Sequence, residues 1–474
     1  MTALVAALFA AAAAAGATAT RQLYDEALEA HAKGDRRSAA ALLHEWLKRS
    51  PRTAEAWDAA QHLLAEDLHA LGLLHAALVY ESNVVRARSR PELIPAALQR
   101  LEAWTAQAPH DEERFEGEVL RGADFGLIEG PARAFVSFHQ GAGDLKGGHE
   151  RWAEARFGEL AEGSPYRSRA RLLRAAVALS KRGEPATALA EFEDLAADEK
   201  APRDVRNEAR ISAARLRFEA GDFAPALQLY AAVDLPELDP GRGQIYLEEA
   251  WAQYRAGQGG RAMGLLAALD APSFRALFLP EKFLLRALIF KDACHWLAAK
   301  RAARGLLRRY QPALAAIQER RPLATEPMLA EASEQKGSGR KAAQLVAQLA
   351  AERERLDKHA SAWSGGLYAR LVELYSAAHA EAERRRLLEL EKGVQRVADE
   401  LLRAAEQVSL VDYEVGLALY RRAHGSGPQS PLVFQEVAPG KGELAYGFDG
   451  EYWNDELPAM RFALANRCLE GAAP

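Results

Sequence analysis

The residues with the clearest chemical potential in this sequence are its two cysteines, Cys294 and Cys468. Thiols pair in an oxidising compartment and stay reduced in the cytosol, so their fate depends on where the chain resides. In an exported chain Cys468 is expected to return to Cys294 and fasten the C-terminal tail. The alternative is two unpaired buried thiols. Closing a loop of about 175 residues is worth at most ~5 kcal/mol in the chain-entropy model.

The other candidates for chemistry fail on spacing. Among twelve histidines there is no His-Glu-x-x-His pair. His149-Glu150 has no second histidine four residues on, and His69 and His75 stand too far apart to share a helical face at that step. Gly337-Ser338-Gly339-Arg340-Lys341 lacks the spacing of a phosphate loop and has no strand before it. No Gly-x-Ser-x-Gly elbow lies between a strand and a helix. Asp449, Glu451, Asp455 and Glu456 are acidic enough for calcium, but Gly450 comes too early for an EF-hand loop. The sequence therefore nominates no catalytic residue, no metal ligand and no cofactor, and it reads as a non-enzymatic chain.

Small residues carry the stronger pattern. Gly148, Gly183, Gly221 and Gly257 recur at intervals of 35, 38 and 36 residues. Seven positions before each stands a small residue, namely Gly141, Ala176, Ala214 and Ala250. Five positions after each stands an alanine: Ala153, Ala188, Ala226 and Ala262. Nine positions after each comes a large apolar residue: Phe157, Phe192, Tyr230 and Leu266. Such periodicity predicts stacked helical hairpins, with glycine in the turn and small residues where the two backbones approach. In Leu172–Leu195 the expected facing stripes are Leu172, Ala176, Leu179 and Ala188, Phe192, Leu195.

This pattern resembles the tetratricopeptide repeat (TPR) family, best over residues 130–270. Ala27, Gly34, Ala39, Leu43 and Pro51 fit the same frame upstream, as do Gly72 and Ala77. Downstream Ala287 and Ala299 fit, with Cys294 in the place of the turn glycine. The family's large aromatic early in the first helix is mostly missing, which leaves irregular or Sel1-like repeats as an alternative. The resemblance implies an all-α solenoid that holds protein or peptide partners, and exposed residues of the first helices, such as Arg174, Arg217 and Gln253, are candidate contacts.

The 474 residues suffice for several domains or one long repeat array. With 61 basic and 66 acidic residues well mixed, nothing favours nucleic acid or an anionic membrane. Residues 1–19 carry no charge, run apolar from Leu4 to Ala15, and end in Ala17-Thr18-Ala19. They read as a secretory signal cleaved after Ala19, with export to a Gram-negative periplasm and no integral membrane segment in the mature chain. An alanine-rich N-terminal helix in the cytosol is the competing reading.

The organisation expected is a signal at 1–19, degenerate hairpins at 20–125, repeats at 126–310, a long coiled-coil-like hairpin at 311–425 and a docking tail at 426–474. Ser333–Arg340 reads as a flexible connection or an interrupted helix. Leu387, Leu390, Val394, Val397, Leu401, Ala404, Val408, Val411 and Val415 then follow 3,4 steps, a seam that needs a partner. The partner is intramolecular or a second chain, and the latter would make a homo-oligomer through Leu387–Val415. A helix from about Leu367 to Ala423 is expected to carry the seam, either as one arm of a hairpin turning at Gly365-Gly366 or unbroken through those glycines. In the tail, Tyr452 and Trp453 are expected to plug an apolar groove on the last repeats. The function anticipated is an envelope scaffold or adaptor, with a self-associating structural protein as the alternative.

Overall fold

A computed structural model describes residues 20–121, 124–126, 128–236, 239–364, 366–424, 452 and 456–468. Every regular element among them is helical. The chain divides into two units, Met1–Arg167 with Gly337–Glu389 and Ser168–Lys336 with Leu390–Pro474.

The first unit opens with α1 (20–32), α2 (Arg36–Arg49), α3 (Trp57–Ala70), α4 (Leu74–Ala87), α5 (Ile94–Thr105), α6 (Glu112–Phe115), α7 (Gly130–Lys146) and α8 (Glu150–Gly158). The second holds α9 (Pro165–Val177, its first residues in the other unit), α10 (Pro185–Ala197), α11 (Arg203–Glu219), α12 (Phe223–Ala231), α13 (Pro240–Arg255), α14 (Gly259–Ala268), α15 (Glu281–Asp292), α16 (Trp296–Arg309), α17 (Gln311–Gln318) and α18 (Pro327–Glu334). The chain then returns to the first unit with α19 (Gly337–Lys358) and the start of α20 (Leu367–Ala423).

Each hairpin turns on a residue in the left-handed region. Gly148, Gly183, Gly221 and Gly257 have φ of 81°, 66°, 84° and 76°. Only a residue without Cβ takes that conformation at little cost. Gly34 and Gly72 do the same upstream at 78° and 73°. The alanine that follows each of the four repeat glycines is fully buried at Ala153, Ala188, Ala226 and Ala262, and Phe157, Phe192, Tyr230 and Leu266 are buried beside them. Each large side chain withdrawn from water contributes about 1.5–3 kcal/mol, an upper range because unfolded chains already hide some surface.

The second repeat departs from the expected face. Ala176 is exposed and Ala175 is buried in its place. A π-helical turn at Ala178–Arg182 inserts one residue before Gly183, which shifts the buried face by one position. Ala175 and Ala178 then join Ala188 and Phe192 in one apolar cluster.

In the first unit, α19 and the start of α20 run antiparallel. Asp357 accepts from the Tyr368 hydroxyl at 2.8 Å, Arg353 donates to Ser376 at 3.2 Å, and Ser338 donates to Glu389. The two helices are separate, and Gly366 in the connection has φ 79°. This arm locks onto the α3–α4 turn. Fully buried Glu352 accepts from the Tyr375 hydroxyl at 2.5 Å and from the His75 backbone N–H at 2.9 Å, so it caps the exposed start of α4 from another element. Arg355 meanwhile donates to the Gly72 carbonyl.

The remainder of α20 belongs to the second unit. Leu390, Val394, Val397, Leu401, Ala404, Val408, Val411 and Val415 are buried in one cluster with α16 and α18. The seam is therefore closed within the chain, and Leu387 is not part of it, being 48% exposed. It lies where α20 passes from one unit to the other. Gly393 shows how closely α18 approaches: a Cβ there would overlap the Ser333 hydroxyl and stand 3.0 Å from its Cβ. Between α18 and α19 the helical path breaks only at Gln335 and Lys336.

Two predictions follow from this packing. Gly221→Ala puts a side chain on a residue at φ 84° that faces open space, so backbone strain alone is expected to cost about 1–2 kcal/mol by urea denaturation. An unchanged midpoint would contradict the turn geometry. The second concerns pH. Burial, with Arg114 as the next cause, holds the His75 imidazole down to about 4. A folded value below the unfolded one of about 6.5 gives stability that is present above pH 6.5 and lost as pH falls toward 4. The ring is only half-buried by surface area, so screening trims the effect to about 2 kcal/mol. His75→Gln is expected to shrink the difference between urea stabilities at pH 7 and pH 4.5 by that amount; an undiminished difference would contradict the assignment.

Candidate binding surface

The C-terminal segment 456–468 belongs to the second unit and packs against its helices, with one 3-10 turn at Leu457–Ala459. Leu457 and Leu464 are buried, and they enter the apolar cluster built by α13, α14 and α15. Met460 and Tyr452 pack against the same cluster at its edge. Burial raises the Tyr452 hydroxyl above its ordinary value. Trp453, the other residue expected to plug this groove, lies outside the described residues, as do residues 1–19.

Backbone groups fix the segment's register. Phe462 N–H donates to the Gly260 carbonyl at 2.9 Å, and Arg467 N–H donates to the Ala293 carbonyl at 3.1 Å. Ala293 caps the C-terminus of α15, where helical carbonyls lack partners, so the tail satisfies one. His295 Nε2 lies 2.7 Å from the Ala465 carbonyl, a bond that requires the Nε2–H tautomer. Asn466 is buried, and its side-chain oxygen accepts from the Cys468 N–H at 3.1 Å.

Helix α14 admits this backbone because it lacks side chains where the tail crosses. A Cβ on Gly264 would overlap the Met460 carbonyl. Gly259 and Gly260 are buried at the start of the same helix. Gly260 and Gly264 share one face at i, i+4 spacing, a sign of close backbone approach that sequence reasoning passed over while it followed the turn glycines.

The sulfurs of Cys294 and Cys468 are bonded, with Cα atoms 5.1 Å apart. Cys294 occupies the turn between α15 and α16 at φ 59°, the conformation that glycine supplies in the preceding hairpins. Beside it the Asp292 carbonyl is 3.3 Å from Cys468 Sγ, and the buried Asp292 carboxylate accepts from the Tyr254 hydroxyl at 2.6 Å. Burial raises both the Asp292 carboxyl and the Tyr254 hydroxyl.

The candidate contacts on the first helices are arranged otherwise than the sequence suggested. Gln253 is only 6% exposed, because α13 is flanked by α12, α14 and α15. Arg217 is committed within the chain, to Glu193 at 2.7 Å and Asp222 at 3.1 Å. Arg174 is half-buried on α9. Interactions across hairpins that sequence alone does not pair account for both corrections.

Two histidine–carboxylate pairs in the first unit have the form of a positioned base. His31 Nδ1 lies 2.9 Å from Asp67, and His62 Nδ1 lies 2.7 Å from Glu81. Both carboxylates are fully buried, and desolvation raises them. Arg36 donates to Asp67 at 2.8 Å, and Arg100 donates to the His62 carbonyl at 2.9 Å. These bonds tie α1 to α3, α3 to α4 and α5 to α3, which makes the pairs struts of the fold. Among the described residues no group of three His, Cys, Asp or Glu side chains is placed to hold a metal ion. No described helix is long and apolar enough to cross a membrane.

No family model matches this chain, and no curated protein matches it. Solved structures do. A tetratricopeptide repeat protein from Parabacteroides merdae aligns at 14% identity over 61% of this chain and 92% of its own, with a TM-score of 0.24. The APC/C hetero-tetramer Cut9–Hcn1 aligns at 14% identity over 85% of this chain and 90% of its own, with a TM-score of 0.22. At these scores neither likeness bears on partners or activity. The all-α, TPR-like repeat description rests on the hairpins themselves.

The tail seat can be tested directly. Gly264→Ala is expected to leave far-UV helicity intact while it speeds amide exchange at Phe462 and Arg467 by tenfold or more. Unchanged protection at both amides would show that backbone approach at Gly264 does not seat the tail.

Proposed function

We propose that this chain is a non-enzymatic scaffold that holds protein or peptide partners on its helical-repeat surface, exported to the periplasm and working in an envelope-associated assembly. The observation that carries the reading is the seated tail. A face of the repeat array already binds a segment that makes a 3-10 turn at Leu457–Ala459 and then runs without regular structure, through apolar anchors and backbone hydrogen bonds, which is the recognition chemistry an adaptor needs. Exposed Leu410, Tyr413 and Tyr420 share one face of α20, and aromatic-rich apolar surface is favoured at protein interfaces. The disulfide and the apolar residues 1–19 support export, since such bonds persist in oxidising compartments. A self-associating role through the Leu387–Val415 seam would require Leu390–Val415 to leave the second unit's core.

Expression in a Gram-negative host checks location and role together. The chain is expected in the osmotic-shock fraction with Thr20 as its N-terminus. Affinity capture from that fraction is expected to recover a defined protein set, reduced when Leu410, Tyr413 and Tyr420 are replaced by serine. An unprocessed chain confined to the cytosol would overturn the export reading, and a capture indistinguishable from the matrix control would overturn the scaffold reading.

A further inference from the structure

The α14–α16 face combines three features that a simple staple does not need together. It is apolar, receiving Leu457 and Leu464 seven residues apart. It exposes backbone acceptors, the Gly260 and Ala293 carbonyls, that any extended chain can use. It is cleared of side chains at Gly264, where the visiting backbone passes. Side-chain selection comes from the two leucines, with Met460 and Tyr452 at the edge, while the bonds at Gly260, Ala293 and His295 engage backbone alone.

We infer that this face is a docking groove for a partner segment that makes one helical turn and then runs extended, with leucines seven positions apart, closed in cis by residues 456–468 and opened by reduction of Cys294–Cys468. The inference rests on the scaffold reading and deepens it by naming one site and its ligand class. A dithiol attacks Cys468, the partly exposed sulfur of the pair, and forms a mixed disulfide while Cys294 leaves as a thiolate and takes a proton. The dithiol's second thiolate then displaces Cys468. The two electrons come from the dithiol, which ends as its own disulfide, and the protein ends with two thiols.

Release follows from the balance of terms at the tail. With the bond intact, residues 456–468 are held at both ends of their contact by covalent closure and by the buried leucines. With it open, two buried leucines and three hydrogen bonds must order about a dozen backbone residues, and the entropy of that ordering competes with them. The tail remains tethered through residues 425–451, so it occupies the groove as a local competitor that a partner segment displaces by mass action.

The test uses the full mature chain and a fluorescein-labelled synthetic peptide of residues 452–467, which contains no cysteine. Binding is read by fluorescence anisotropy before and after treatment with dithiothreitol, with alkylation of the thiols by iodoacetamide. The expected result is saturable binding only after reduction, at least tenfold tighter than to the oxidised chain. It is to be lost in the Gly264→Val variant and when both leucines of the peptide are replaced by serine. The double variant Cys294→Gly with Cys468→Ser guards against alkylation artefacts. Glycine restores the residue type found at the three preceding repeat turns, so this variant is expected to fold and to bind peptide without reduction. Circular dichroism of each sample confirms that the helices persist. Equal binding by oxidised and reduced chains, or none by a reduced chain that keeps its helicity, would overturn the inference. Because the peptide assay does not use the α20 face or any cellular partner, it fails independently of the capture experiment.

Discussion

Where α7 passes α8, a methyl group on Gly141 would come within 2.6 Å of the Phe157 ring. The same exclusion recurs where Gly243 meets Leu277, where Gly393 meets Ser333, and where Gly264 meets the tail. Protein interiors are close-packed, so missing side chains become the places where helix axes and extended segments approach. Hairpin geometry, the seat of α20 and the docking of the tail all depend on that constraint. Large apolar residues supply the energy of this fold, and the small ones decide where that energy can be collected.

The turn between α15 and α16 shows how the repeat frame was put to a second use. The three preceding hairpins of the second unit turn on Gly183, Gly221 and Gly257. Here Cys294 takes the left-handed conformation at φ 59°, which costs a residue with Cβ roughly 1 kcal/mol. Cross-linking Cys294 to Cys468 offsets that cost several times over in the chain-entropy model. The bond also positions the tail so that its amides meet the helix-end carbonyl of Ala293. A repeat unit thereby seats the tail, which adds only a single 3-10 turn at Leu457–Ala459.

Much of the architecture was legible because it is local. Turn glycines, the alanines five positions later and the apolar residues nine positions later reflect contacts inside one hairpin, and a fixed spacing records them. The bounds of α20 follow from breakers that are equally local, Gly365-Gly366 before it and His424-Gly425-Ser426-Gly427-Pro428 after it. What escaped depends on contacts between elements. The π-helical turn that exchanges Ala175 for Ala176 has no spacing of its own. Gln253 looks like a surface residue on α13 until α14 and α15 cover it, and Arg217 looks available until Glu193 is placed beside it. The seam reads identically whether its partner is another chain or the core it closes, and the burial of Leu390 to Val415 alongside the exposure of Leu387 is visible only in three dimensions. At the tail, Tyr452 reaches the groove named for it, but the glycine-lined passage at Gly264 is a pair of positions on one helix that an eye trained on turns does not collect.

An alanine scan of helical glycines, read as urea stability, measures whether absent side chains set the approach of the backbones. Alanine at 141, 243 and 393, where a Cβ meets packed atoms, is predicted to cost about 1–3 kcal/mol each. Alanine at 158 and 416, which face open space in ordinary helical conformation, is predicted to be neutral or to gain up to about 1 kcal/mol. A scan in which all five positions respond alike would show that absent side chains do not set that approach.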